Sequence, residues 1–137
     1  MNKVVTFTDG ASRGNPGPAG IGALLLDDQG VTLAEIFNFI GITTNNEAEY
    51  RALIAALERA ATFTTDTVEC FMDSELVVRQ LSGQYRVKSE KMQGFHQKVK
   101  SLVSNFKKVT FSHVRREHPQ QKLADKLANL GVDSAEK

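Results

Sequence analysis

Val4-Val5-Thr6-Phe7-Thr8-Asp9, running into Gly10-Ala11-Ser12-Arg13-Gly14-Asn15-Pro16-Gly17, decides how this chain is read. Its first five residues are apolar or β-branched, and with Lys3 and Asp9 they predict a strand over 3–9. The glycine-rich stretch that follows predicts a break in regular structure. A carboxylate at the carboxyl end of a strand, facing a crevice, lies where open α/β sheets place ligands. Downstream, Val68-Glu69-Cys70-Phe71-Met72 ends the same way on Asp73, just where a helix begins. Two such positions in one small chain point to a shared site.

Working outward, apolar runs at 21–26 and 31–40 flank Asp27-Asp28-Gln29-Gly30. That turn chemistry predicts a hairpin and makes the first three strands an antiparallel meander. Thr43-Thr44-Asn45-Asn46 supplies capping residues for a helix over 47–61. A short buried strand over 68–72 leads to a helix over 74–81, which Ser82-Gly83 stops. Phe95, Val99, Leu102, Val103 and Phe106 recur at helical spacing and predict a helix over 91–106. A strand over 109–114 and a helix over 120–130, ended by Gly131, complete the order βββαβααβα. This is an α/β layer fold, an antiparallel hairpin portion joined to parallel strands with helices on both faces.

At 137 residues the chain is expected to form one domain, 1–137, with its core over about 3–130 and a short tail. A chain of this size buries roughly two-thirds of its unfolded surface, so it needs no disulfide or structural metal. Cys70, the only cysteine, alternates with Val68 and Met72 and reads as a small buried hydrophobe. No signal region and no apolar run of about 18 residues is present, which predicts a soluble, cytoplasmic protein with no membrane contact. The net charge of +1 hides an asymmetry. Residues 79–122 carry 11 basic and 2 acidic side chains, while the remainder carries 6 basic and 14 acidic. This split suits a surface that grips a polyanion beside one that holds cations, although an ordinary solvated helix face explains it equally well.

Two further carboxylates join Asp9 and Asp73. Leu53, Ala56, Leu57 and Ala60 fall within about 80° of Glu49 on a helical wheel, whereas Glu47, Arg51 and Glu58 point to the opposite side. Glu49 therefore stands at the sheet-facing edge, either buried with a partner or exposed in a first turn favoured by the helix dipole. Asp125 lies largely opposite the stripe of Leu123, Ala124, Leu127, Ala128 and Leu130, so periodicity assigns it to solvent. Bare carboxylates gathered in one crevice repel one another, and divalent cations relieve that repulsion. Oxygen-only ligands select hard ions such as Mg²⁺ or Mn²⁺. Two ions about 4 Å apart can activate a water and steady the leaving oxygen of a phosphoryl displacement. No Cys/His zinc cluster is offered, and Gly14-Asn15-Pro16-Gly17 lacks the Gly-Lys-Ser/Thr of a Walker loop.

Thr8-Asp9-Gly10 with Gly14-Asn15-Pro16-Gly17, Thr44-Asn45-Asn46-Glu47-Ala48-Glu49, Asp73-Ser74 and Ala124-Asp125 followed by Leu127-Ala128-Asn129 resemble type 1 ribonuclease H. The resemblance runs from residue 3 to about 130, with order and intervals agreeing. It implies a ribonuclease H-like fold, with a five-stranded mixed sheet whose strands 1–3 are antiparallel and 4–5 parallel. It implies hydrolysis of the RNA strand of RNA–DNA hybrids to 5′-phosphate and 3′-hydroxyl ends, with two Mg²⁺ ions, or Mn²⁺ in their place, per substrate-bound site. Asp9, Glu49, Asp73 and Asp125 match the metal-binding catalytic carboxylates, and the residue matching Glu49 lies beside the ribose 2′-hydroxyl. Asn15, Asn45 and Asn46 match minor-groove contacts, although the last two could also be helix caps. Thr44 matches a residue that binds a DNA-strand phosphate, and Ser74 joins the substrate-binding set. No protein partner is implied, and a monomer is expected.

The chain departs from many relatives in two places. Its 83–91 segment is short and lacks tryptophan, which resembles the compact bacterial and archaeal branch without a basic insertion. There Arg86, Lys88 and Lys91 either contact phosphates or are solvated. The segment Arg115-Arg116-Glu117-His118-Pro119 is shortened where the family usually carries a mobile auxiliary histidine. His118 is the preferred candidate for that position and Glu117 the alternative, while His96 and His113 are assigned no role. Two other classes compete: a hybrid- or duplex-RNA-binding module without catalysis, and a related polynucleotide transferase or junction nuclease. Four retained carboxylates argue against the first, since a pure binder gains nothing from negative charge beside phosphates. The chain is too short for the added DNA-binding regions of the second.

Overall fold

Strand β1 (Lys3–Ser12) is the centre of the sheet in the computed structural model, which describes residues 1–136. β1 pairs antiparallel with β2 (Gly17–Asp27), and β2 pairs antiparallel with β3 (Thr32–Thr43). On its other side β1 runs parallel to β4 (Thr67–Met72), which runs parallel to β5 (Lys108–His113). The spatial order is β3-β2-β1-β4-β5, the mixed five-stranded sheet that the motif order predicts.

Two separate cores form on the two faces. Helices α1 (Asn45–Ala60), α2 (Glu75–Leu81) and α3 (Glu90–Val103) contribute Leu53, Leu57, Val77 and Val99 to a cluster with Val4, Leu25, Val68, Cys70 and Met72. Helix α4 (Pro119–Asp133) covers the other face, where Ala124 and Leu127 pack on Phe7, Leu24 and Leu26. Alternation in β4 sends Val68, Cys70 and Met72 to the α1 side. Among the described residues, no helix is long and apolar enough to cross a membrane.

The hairpin turn forms as expected: Asp27 Oδ1 accepts from the amides of Gln29 and Val31 at 2.9 and 2.8 Å, and Gly30 takes φ +82°. Ser74 and Thr44 cap their helices by accepting from Val77 N and Glu47 N.

Three expectations are corrected, each by what a neighbouring element brings close. β1 continues past Asp9 to Ser12, and β2 starts at Gly17 rather than near 21. Gly10, Gly20 and Gly22 serve as strand residues on which helices pack. Gly131 does not stop α4, which runs on to Asp133. A Cβ at Gly131 would stand 2.4 Å from the Asn38 carbonyl oxygen, so the glycine is an inter-element contact within the helix. Finally, Glu47 does not face solvent. Its side chain is buried, 2.8 Å from Lys91 Nζ on α3 and 3.4 Å from Arg51. Helical phase on α1 alone carries no information about what α3 brings over it.

Candidate active site

The parallel pairing of β1 with β4 ends at Thr8 opposite Met72. Asp9 and Asp73 are the next residues on the two chains, so adjacent strands present both at the same sheet end. Asp9 remains paired with Gly22 of β2 on its other side. Two glycines then let helices close on it from both faces. A Cβ on Gly10 would lie 2.3 Å from the Ala48 carbonyl carbon, so only glycine lets α1 bring Glu49 this near. A Cβ on Gly22 would lie 2.3 Å from the Ala124 carbonyl oxygen, and its absence admits α4 and Asp125.

Ligand oxygens of Asp9, Glu49 and Asp73 all lie within 4.8 Å of one another. Asp125 is outside that trio but lines the same cleft of about 820 Å³ and adds to the upward shift of Asp9. Periodicity alone assigns Asp125 to solvent and the family resemblance to the carboxylate set; the structure has it lining the cleft. Leu123 and Leu130, both 40% exposed or more, tilted the apparent stripe, whereas the buried row of α4 includes Gln121, Ala128 and Val132. Asp125 is four residues from Gln121 and three from Ala128, at that row's edge.

Burial above all, and then the charge of Glu49, pushes the Asp9 carboxyl up to about 11. Burial pushes Glu49 up to about 7, helped by the Asp73 charge. Asp73 is raised too, chiefly by burial, with the Arg116 guanidinium pulling the other way. Glu49 Oε2 is buried with no hydrogen-bond partner. Such a cluster cannot ionise fully at neutral pH without added positive charge. An all-oxygen donor set with an orphaned carboxylate oxygen fits a hard divalent cation.

Around these carboxylates the cleft is lined by Asn15, Asn45, Asn46 and Ser74. Asn15 Oδ1 accepts from Asn45 N at 3.0 Å and ties the β1–β2 turn to the start of α1. Thr44 is occupied as the α1 cap and does not line the cleft. Arg86 and Lys88 are exposed on the 82–89 connection, away from the cleft lining. Lys91 pairs with Glu47 at 2.8 Å while its side chain stays largely exposed.

A family profile described as "Reverse transcriptase-like" matches residues 7–131. Ribonuclease HI of Halobacterium salinarum is 42% identical over 133 residues, covering 97% of this chain and 66% of that protein. The crystal structure of RNase H1 from the same archaeon superposes with a TM-score of 0.91 at 41% identity, covering 97% of this chain and 99% of that one. The chain belongs to the ribonuclease H family. LC11-RNase H1, solved in complex with an RNA/DNA hybrid, matches with a TM-score of 0.91 at 42% identity over 98% of this chain and 99% of that one. A Mycobacterium tuberculosis bifunctional protein is also 42% identical over 134 residues, and this chain spans only 36% of its length.

Within this ribonuclease H cleft the two candidates for the auxiliary position stand in different surroundings. His118 caps α4, its Nδ1 accepting from Gln120 N at 3.2 Å, and its ring stacks on Phe7 at 5.1 Å. It does not line the cleft, whereas Glu117 does. Sequence reading also passed over His113, Arg115, Arg116 and Asn129 as cleft residues. The rule that found Asp9 and Asp73 would have found the first three, because they end or follow β5 at the same sheet edge. Asn129, one helical turn beyond Asp125, donates to the Asp125 carbonyl at 3.0 Å. A second groove of about 690 Å³ between β3, α1 and α3 contains no carboxylate cluster and is floored by Ile40, Ile54 and Phe95.

Proposed function

We propose that this chain is an endonuclease that hydrolyses the RNA strand of RNA–DNA hybrids, leaving 5′-phosphate and 3′-hydroxyl ends. The observation that carries the reading is the convergence of Asp9, Glu49 and Asp73 on a cleft rimmed by Asn15, Asn45 and Asn46. Family membership and the hybrid-bound relative support it. Asp9, Glu49, Asp73 and Asp125 would hold Mg²⁺, or Mn²⁺ in its place, two ions per substrate-bound site. The chemistry supplied on binding is activation of the attacking water and stabilisation of the leaving oxygen.

The chain's own residues do the rest. Glu49 orients the ribose 2′-hydroxyl beside the cut, which restricts cleavage to RNA. Asn15, Asn45 and Asn46 read the wide minor groove of an A-like hybrid, where short amides reach base edges without demanding a sequence. Ser74 adds a sugar-phosphate contact from the cleft wall, and Thr44, outside the cleft lining, keeps its hydroxyl proton free to donate to a DNA-strand phosphate while it caps α1. Glu117, in place of His118, takes up the proton released at the cut. The reading includes a cytoplasmic monomer formed as one domain over 1–137.

Wild-type protein is expected to cut only the RNA strand of a labelled hybrid, in Mg²⁺ and not in EDTA. Asp73→Asn is expected to lose far more than the roughly 100-fold that removal of an outer-shell partner costs, with unchanged far-UV circular dichroism. Wild-type rates from this variant would refute the assignment.

A further inference from the structure

Gln121 has no solvent exposure at all, yet it carries a polar amide on the face of α4 that packs against β1. Its Nε2 donates to the Thr8 carbonyl at 2.8 Å, a link between residues 113 apart in sequence. Its Oε1 has no partner. An apolar side chain of the same length would avoid burying that oxygen, so the amide is retained at a cost in stability. Thr8 immediately precedes Asp9, and Gln121 is one helical turn before Asp125. The hydrogen bond therefore joins the backbone of one carboxylate's strand to the helix of another.

Gly22 explains why this link is needed. With no Cβ in the way, α4 rests directly on the strand backbone at Ala124 and Ala128. Nothing in a bare glycine surface fixes how far the helix slides along the strand. Gly131 against Asn38 and Leu127 against Phe7 limit that travel, and the Gln121 hydrogen bond adds the directional constraint. Asp125 is also the one carboxylate outside the tight trio, so its reach depends most on where α4 stops.

We propose that Gln121 is a positioning residue: by holding the Thr8 carbonyl it sets α4 along β1 and so places the Asp125 carboxylate at working distance from Asp9. This rests on the cation-dependent nuclease reading above and assigns it a supporting residue. Outer-shell partners of this type typically change metal affinity or activity by roughly 10- to 100-fold when removed.

The test uses Gln121→Met, which keeps length and volume but cannot donate, alone and combined with Asp125→Asn. Two readouts are needed: the Mg²⁺ concentration giving half of the thermal stabilisation, without hybrid, and kcat and KM on hybrid. Gln121→Met is expected to raise the Mg²⁺ half-point and lower kcat about 10-fold each, with KM within about twofold. In the Asp125→Asn background it is expected to move the Mg²⁺ half-point less than about twofold, because its route of action is already gone. Wild-type values for Gln121→Met, or an equal Mg²⁺ shift in both backgrounds, would overturn the proposal. Gln121→Leu backs up the first variant, and failure of both to fold would show a folding role instead and overturn it too. If wild-type protein bound Mg²⁺ but left hybrid intact, the nuclease reading would fall while the half-point comparison still judged Gln121.

Discussion

With its carboxyl pushed up to about 11 by burial and by Glu49, Asp9 keeps a proton in the folded chain that the unfolded chain has already released. The unfolded value is near 4. Stability from this group is therefore fully present below pH ~4 and is lost as pH rises towards the folded value. In EDTA, wild-type protein is expected to weaken steadily above pH ~4. Asp9→Asn is neutral without taking up a proton on folding and should be the more stable protein at pH 8, by about 1–3 kcal/mol. Added Mg²⁺ should reverse the ranking by stabilising only wild type. Denaturation midpoints across pH check both points, and a less stable Asp9→Asn in EDTA at pH 8 would count against the buried-charge account. At this scale Asp73 was legible because its strand ends just before it, and Asp9 because an apolar run stops there, although β1 runs on to Ser12. Glu47 was not, because the Lys91 that neutralises it comes from another helix.

Glycines decide how the elements meet, and two of them make opposite tests. Gly22 lies under α4, where a Cβ would stand 2.3 Å from the Ala124 oxygen and 2.4 Å from the Ala128 nitrogen. Gly94 lies within α3, where a Cβ would meet nothing within 4 Å. Gly22→Ala must push a helix off the sheet and is expected to cost about 3 kcal/mol and to displace Asp125. Gly94→Ala removes only backbone freedom and is expected to stabilise by roughly 0.5–1 kcal/mol. Urea titrations of both variants read these values directly, and a neutral Gly22→Ala would contradict the packing described. Helix α4 was the element least legible in sequence. Its exposed Leu123 and Leu130 mimic a core stripe, while Gln121, an amide, occupies a fully buried position.

Across the whole molecule, the basic excess of residues 79–122 includes Arg115 and Arg116 at the cleft and Arg86 and Lys88 on the exposed 82–89 connection. Hybrid binding is expected to weaken steeply as salt rises, since each neutralised phosphate releases counterions. Replacing Arg86 and Lys88 together by alanine should raise KM several-fold, leave kcat unchanged and reduce the salt slope by about 2. An unchanged slope would remove this connection from the hybrid surface and leave the work to the cleft residues.

Sequence alone determined the order of elements, the two aspartates that follow apolar runs, the meander and the family. These depend on local periodicity, turn chemistry and motif spacing, which are written along the chain. Only the tertiary structure decided which glycines let α1 and α4 close on Asp9, that Glu117 rather than His118 lines the cleft, and that Glu47 is buried. Each of those depends on how closely one element approaches another, and that distance is fixed by glycines and partners far away in sequence.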